Sequence, residues 1–178
     1  MCMPGTDELK MIRLATVLAL IVLVLFVSGC LLYPNRLYNL DGSVGVIDHG
    51  KLFDTLAFPF REIYFFGDFG CHQQTARSFI INGSQMPLCI RETSLIIGVA
   101  VGGILLQFIH SMSVRKLLTI ALILTPLTFI EIAIKAVFNN LFLCSLTSIL
   151  SGCGATIILF CIFQAEFHYL DSKRSGQV

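Results

Sequence analysis

Four apolar runs divide the chain, at positions 14–33, 93–110, 117–138 and 141–163, and each has the length and purity of a membrane-crossing helix. A long polar segment, 34–91, separates the first run from the second. The later connections are short: 111–116, then Asn139-Asn140. Inside the long segment, 51–66 reads KLFDTLAFPFREIYFF, with Phe and Tyr crowded among charges. That pattern predicts a stretch lying in the headgroup region, bent at Pro59, or a cover packed over helix ends. The predicted class is all-α integral membrane: a single domain, 1–178, forming a four-transmembrane-helix bundle with a long outer loop, 34–92, that contains an interfacial amphipathic segment.

Composition agrees. Hydrophobic residues make up 56% of the chain and charged ones 13%, against roughly 25% charged in a soluble domain. Twelve Lys and Arg against eleven Asp and Glu leave a net charge of +1, so no basic surface exists for nucleic acid. The expected surroundings are the lipid bilayer and, within it, other membrane subunits or further copies of the chain. The cations choose an orientation. Lys10, Arg13, Arg115, Lys116, Lys173 and Arg174 sit beside helix ends on one side, which predicts a multi-pass protein of the cell membrane with both termini cytoplasmic. The first run also reads as a leader ending Val27-Ser28-Gly29-Cys30, with Cys30 as a lipid-bearing residue, but apolar sequence continues through Leu31-Leu32-Tyr33, which favours a retained helix. Asn82-Gly83-Ser84 is both a glycosylation acceptor and a turn dipeptide; the turn is favoured.

Helices in lipid associate through small residues that let backbones approach. Ser94, Gly98 and Gly102 form one such row, and Ser148, Gly152 and Thr156 another, which predicts that the second and fourth spans pack together. Pro126 should kink the third. Beyond it, Glu131 and Lys135 share a helix face, and an intramembrane carboxylate marks either a functional site or a satisfied ion pair.

The most informative stretch runs from Gly70 into the second span. It carries Cys71-His72-Gln73, Arg77-Ser78-Phe79 and Met86-Pro87-Leu88-Cys89-Ile90-Arg91. In order and spacing it resembles the small prokaryotic integral-membrane family of the Cys-His-Gln type, domain of unknown function 2085. That family shows a Cys-His-Gln, an Arg-Ser-Phe and a Pro-Leu-Cys-Ala-Arg-Cys element leading into a helix with an early Gly. The resemblance covers roughly 66–154 and implies a membrane fold and a site, with no assigned activity. Glu92 stands where the family has its second Cys of the last element. Glu131-Ile132 follows Pro126 where the family has Asp-Gly.

Cys71, His72, Cys89 and Glu92 are residue types that hold zinc or iron, with Cys89 and Glu92 placed to share the face of a helix start. The competing reading is a Cys71–Cys89 disulfide, closing a loop of about eighteen residues and worth about 3 kcal/mol by chain entropy. In either case Gly70 is expected to let the chain bend at Cys71, bringing it to Cys89 with His72 and Glu92 alongside. Arg77, Arg91, Glu131, Lys135 and Asn139 could form a polar pocket at the outer ends of the second and third helices. Two functions follow: a structural or accessory membrane subunit with a cysteine-stapled or metal-binding outer cap, or a membrane thiol-redox enzyme or small carrier using that pocket. No nucleotide-binding glycine loop, hydrolase elbow or zinc-protease His pair is present, and no catalytic residue is assigned.

Overall fold

A computed structural model describes residues 6–109, 112–134 and 140–174. The chain is mainly helical, in chain order α1 Thr6–Leu32, α2 Gly50–Phe53, α3 Phe60–Gly70, β1 Ser78–Ile81, β2 Ser84–Cys89, α4 Ile90–Ile109, α5 Val114–Leu124, α6 Leu127–Ile134 and α7 Leu141–Arg174. Among the described residues, four segments are long and apolar enough to cross a membrane: Leu9–Leu32, Ile90–Ile109, Val114–Ala133 and Leu141–Phe167. Their boundaries differ from the apolar runs because helices continue into polar flanks: α1 begins eight residues before the run, and α7 extends to Arg174. Large apolar side chains such as Val24, Phe108, Phe129 and Phe142 stand mostly exposed on these helices, as a lipid-facing surface requires.

The residues fall into two compact units, 1–20 with 94–178, and 21–93. In the first, small residues set the packing. A Cβ on Gly98 would stand 2.2 Å from the Ile149 carbonyl oxygen, and one on Gly152 would stand 2.3 Å from that of Leu95. The α4 and α7 backbones therefore touch, as the two small-residue rows predict. The Ser94 hydroxyl meets that of Ser145, 2.7 Å away, one turn from the Ser148 of the row. Cys153 donates its thiol to the Gly98 carbonyl at 3.2 Å. Ile12, Leu106, Leu117, Ala121, Ile157, Phe160 and Cys161 form the apolar core, so Cys161 is a small filler there.

Pro126 divides the third span. The helix stops at Leu124 and resumes at Leu127, and Ser151 of α7 occupies the break. Its hydroxyl accepts the Thr128 N–H at 3.3 Å and lies against the carbonyls of Leu124 and Thr125. A neighbouring helix thus supplies partners for the backbone that proline leaves unpaired. Asn140 caps α7, its side-chain oxygen accepting the Phe142 N–H at 2.9 Å.

The second unit is where the long polar segment departs from an irregular loop. Leu37, Leu40, Phe53, Leu56 and Tyr64 make a core of its own. Asn82 and Gly83 both have positive φ, 52° and 72°, and join β1 to β2 as a two-residue hairpin turn, the role favoured for Asn-Gly. The hairpin was hidden in the sequence by Pro87, which argues against a strand unless its missing N–H lies at an edge. Cys30, fully buried inside α1, puts its thiol 3.5 Å from the Tyr64 hydroxyl.

Candidate functional site

Helix α3 delivers Cys71. Tyr64, Gly67 and Asp68 face inward from it, and the Tyr64 hydroxyl donates to the Gln85 carbonyl on β2 at 2.7 Å. Burial pushes the Tyr64 phenol well above its ordinary range, so it acts as a donor. One turn on, Gly67 lies so close to β2 that a Cβ would stand 2.1 Å from the Pro87 carbonyl oxygen. Only glycine permits that approach. The Gly67 carbonyl then accepts the Cys71 N–H at 2.9 Å, which ends the helix with Cys71 in extended backbone, φ −139° and ψ 148°. Gly70, expected to provide the bend, has open space where its side chain would be and no positive φ; the permissive glycine is Gly67.

Two buried glutamines lock this register. Gln73, with φ 42°, donates its amide to the Pro87 carbonyl at 2.6 Å. Gln85 uses every polar atom it has. Its backbone N–H donates to Leu37 and its carbonyl accepts Tyr64. Its side-chain oxygen accepts Leu40 N–H at 3.3 Å and Thr75 hydroxyl at 3.0 Å, while its amide donates to Gln73 and Ser78. A buried polar side chain satisfied on all sides specifies one arrangement. The sequence shows Gln73 only as part of the Cys-His-Gln motif and does not mark Gln85 at all, because a Gln carries no signal of its partners until the strand and the turn are placed.

Across from α3, β2 ends at Cys89, whose register partner is Ser78 across an irregularity between Ser78 and Ile80. Cys89 stands just before α4, and Glu92 lies in that helix's first turn. One sulfur each from Cys71 and Cys89 and one carboxylate oxygen of Glu92 all lie within 4.8 Å of one another. Three of the four expected ligands therefore meet. His72 does not join them: the extended backbone at Cys71 turns consecutive side chains apart, and His72 is exposed, its Nδ1 3.4 Å from the Gly42 carbonyl. The Glu92 Oε2 is buried without a hydrogen-bond partner among the described residues.

Both cysteines are free thiols, Cys71 4% exposed and Cys89 somewhat more. The hydrogen bond between them pushes Cys71 above its ordinary range, with burial and Glu92 adding to the rise. The same bond lowers Cys89, with the Glu92 N–H helping, the pattern of a sulfur at a helix start. The residues of the expected polar pocket fall on several elements. Arg77 ends a short 3₁₀ turn and Arg91 lies in the first turn of α4, both in the 21–93 unit. Glu131, 3% exposed, belongs to α6 in the other unit, and Lys135 and Asn139 lie outside the described residues.

With that geometry in place, comparison with known families is specific. Residues 71–158 match the family of predicted membrane proteins DUF2085. The matched segment opens at Cys71 itself and contains β1, β2, Cys89, Glu92 and α4 through α6, ending inside α7. DUF2085 thus takes in both cysteines of the site and the second and third spans, while α1, α2 and α3 precede it. Among curated proteins and among solved structures, nothing matches the chain. With four helices long and apolar enough to cross a membrane among the described residues, the match to predicted membrane proteins makes the chain a multi-pass membrane protein.

Proposed function

We propose that this chain is a structural or accessory subunit of the cell membrane, with both termini cytoplasmic, whose outer cap is fixed by a zinc ion held at Cys71, Cys89 and Glu92. The observation that carries the reading is the meeting of two sulfurs and a carboxylate oxygen within 4.8 Å, supplied by the end of α3, the end of β2 and the first turn of α4. An ion there ties three elements together. Two thiolates and a carboxylate are a donor set for a borderline-soft divalent cation, and at Zn–S distances of about 2.3 Å the sulfurs would stand about 3.7 Å apart. The Glu92 carboxylate beside the sulfurs has a role in this site and none in a bond between the sulfurs alone.

A second reading is favoured by one observation, the approach of the two sulfurs to within 4.8 Å: a reversible Cys71–Cys89 disulfide. One preparation distinguishes them. Protein purified in detergent without chelator should contain one equivalent of zinc by elemental analysis. Cys89→Ser or Glu92→Gln should lower that content, while intact mass stays the same with and without reductant. A mass gain of about two on reduction, in protein free of metal, would overturn the zinc reading in favour of the disulfide.

A further inference from the structure

Helix α3 has a second face. Glu62, Phe65, Phe66 and Phe69 recur at the spacing of one helical stripe, opposite the inward Tyr64, Gly67 and Asp68. With Ile47 and Arg61 they line a pocket of about 470 Å³, within the size range of ligand sites. Phe66 is 78% exposed and Phe69 54%. In water such a stripe is an aggregation hazard, whereas at a bilayer surface it is wetted by lipid.

Two charges give the pocket chemistry beyond grease. The Arg61 guanidinium lies over the Phe65 ring, 5.5 Å from its centroid, and 3.0 Å from the Asp54 carboxylate. Both partners of that ion pair are about half exposed, so the pair contributes little and can yield to another anion. Beside it, the Glu62 Oε2 is buried with no hydrogen-bond partner among the described residues. A buried acceptor left unmet is costly, so a ligand presenting an N–H to it gains what the free pocket lacks.

A cation-seeking carboxylate next to an anion-seeking guanidinium, above an apolar stripe, matches one head-group pattern: an ammonium linked through a phosphate to acyl chains. We propose that this pocket binds phosphatidylethanolamine, with its ammonium on Glu62, its phosphate on Arg61 and an acyl chain along Phe65, Phe66 and Phe69. Phosphatidylcholine has the same charges but no N–H, so it leaves the Glu62 oxygen unmet. Phosphatidylglycerol lacks the cation altogether.

The test is native mass spectrometry of the full chain in detergent, titrated with phosphatidylethanolamine, its mono- and dimethyl derivatives, phosphatidylcholine and phosphatidylglycerol of matched acyl chains. Binding should persist while at least one N–H remains, then fall roughly tenfold at phosphatidylcholine. Glu62→Leu, which has no acceptor, should remove that preference, and Phe66→Ser should weaken every lipid in the series. Equal binding of the ethanolamine and choline lipids overturns the proposal, as does a preference for phosphatidylglycerol, which Arg61 alone would explain. The wild-type methylation series decides between these outcomes without any variant, and a preference that survives Glu62→Leu places the lipid elsewhere and also overturns it.

Discussion

Gly67 is the residue on which the cysteine pair depends. Its Cα lies against the Pro87 carbonyl, and the helix it belongs to ends four residues later at Cys71. A methyl group at 67 has to push α3 off β2, and the displacement passes to Cys71 through the 67–71 hydrogen bond. Gly67→Ala should therefore cost about 1–3 kcal/mol, as overpacking does, and slow the oxidative coupling of Cys71 to Cys89 by a mild oxidant. Gly70→Ala is the control: its Cβ would meet nothing within 4 Å, so stability and coupling should match the wild type. Thermal melting and the rate of the coupling read both. Equal effects from the two substitutions would show that helix propensity matters there and the close approach does not. The loop 42–49 is anchored from the same helix, since buried Asp68 accepts the His49 N–H at 3.0 Å.

Among the elements, the contact of α4 with α7 is the one most exposed to single-residue change. Lipid removes most of the hydrophobic drive between spans, leaving van der Waals contact and hydrogen bonds. At Gly98 a Cβ would stand 2.2 Å from a backbone oxygen, an atom that cannot rotate away. The Ser94–Ser145 hydroxyl pair, by contrast, is a single hydrogen bond, of a kind that averages about 0.6 kcal/mol between spans. Gly98→Ala should thus lower the melting temperature in detergent clearly more than Ser94→Ala, by an amount equivalent to about 1–3 kcal/mol. If Ser94→Ala proves the more damaging, hydrogen bonding governs the contact and close packing does not. The break at Pro126 follows the same physics in reverse: there the helix is interrupted, and Ser151 restores partners to its free backbone groups.

At the scale of the whole chain, the proposed orientation rests on the cations beside the short connections, and it is testable with thiols placed on exposed positions. Val44 is 52% exposed in the long segment, and Ser113 precedes α5 in a short connection. In a background lacking native cysteines, Val44→Cys should react with a membrane-impermeant reagent in intact cells, and Ser113→Cys only after lysis. The opposite pattern would reverse the orientation.

The sequence by itself determined the spans, since about 20 consecutive apolar residues have few other uses. It also determined the α4–α7 contact, the kink at Pro126 and the turn at Asn82-Gly83, because each depends on a local property: side-chain size, a missing N–H, or tolerance of positive φ. What only the tertiary structure decided was which of Cys71, His72, Cys89 and Glu92 stand together. Cys71 and His72 are neighbours in the chain but diverge in extended backbone, whereas Cys89, eighteen positions on, is carried back by the hairpin and by α3 resting on Pro87. Gln85 and Gln73 belong to that second class as well. Burial of Gln85 is tolerable because groups distant in sequence meet its polar atoms, and the Gln73 amide finds its acceptor on Pro87; such pairing is a property of the assembled fold.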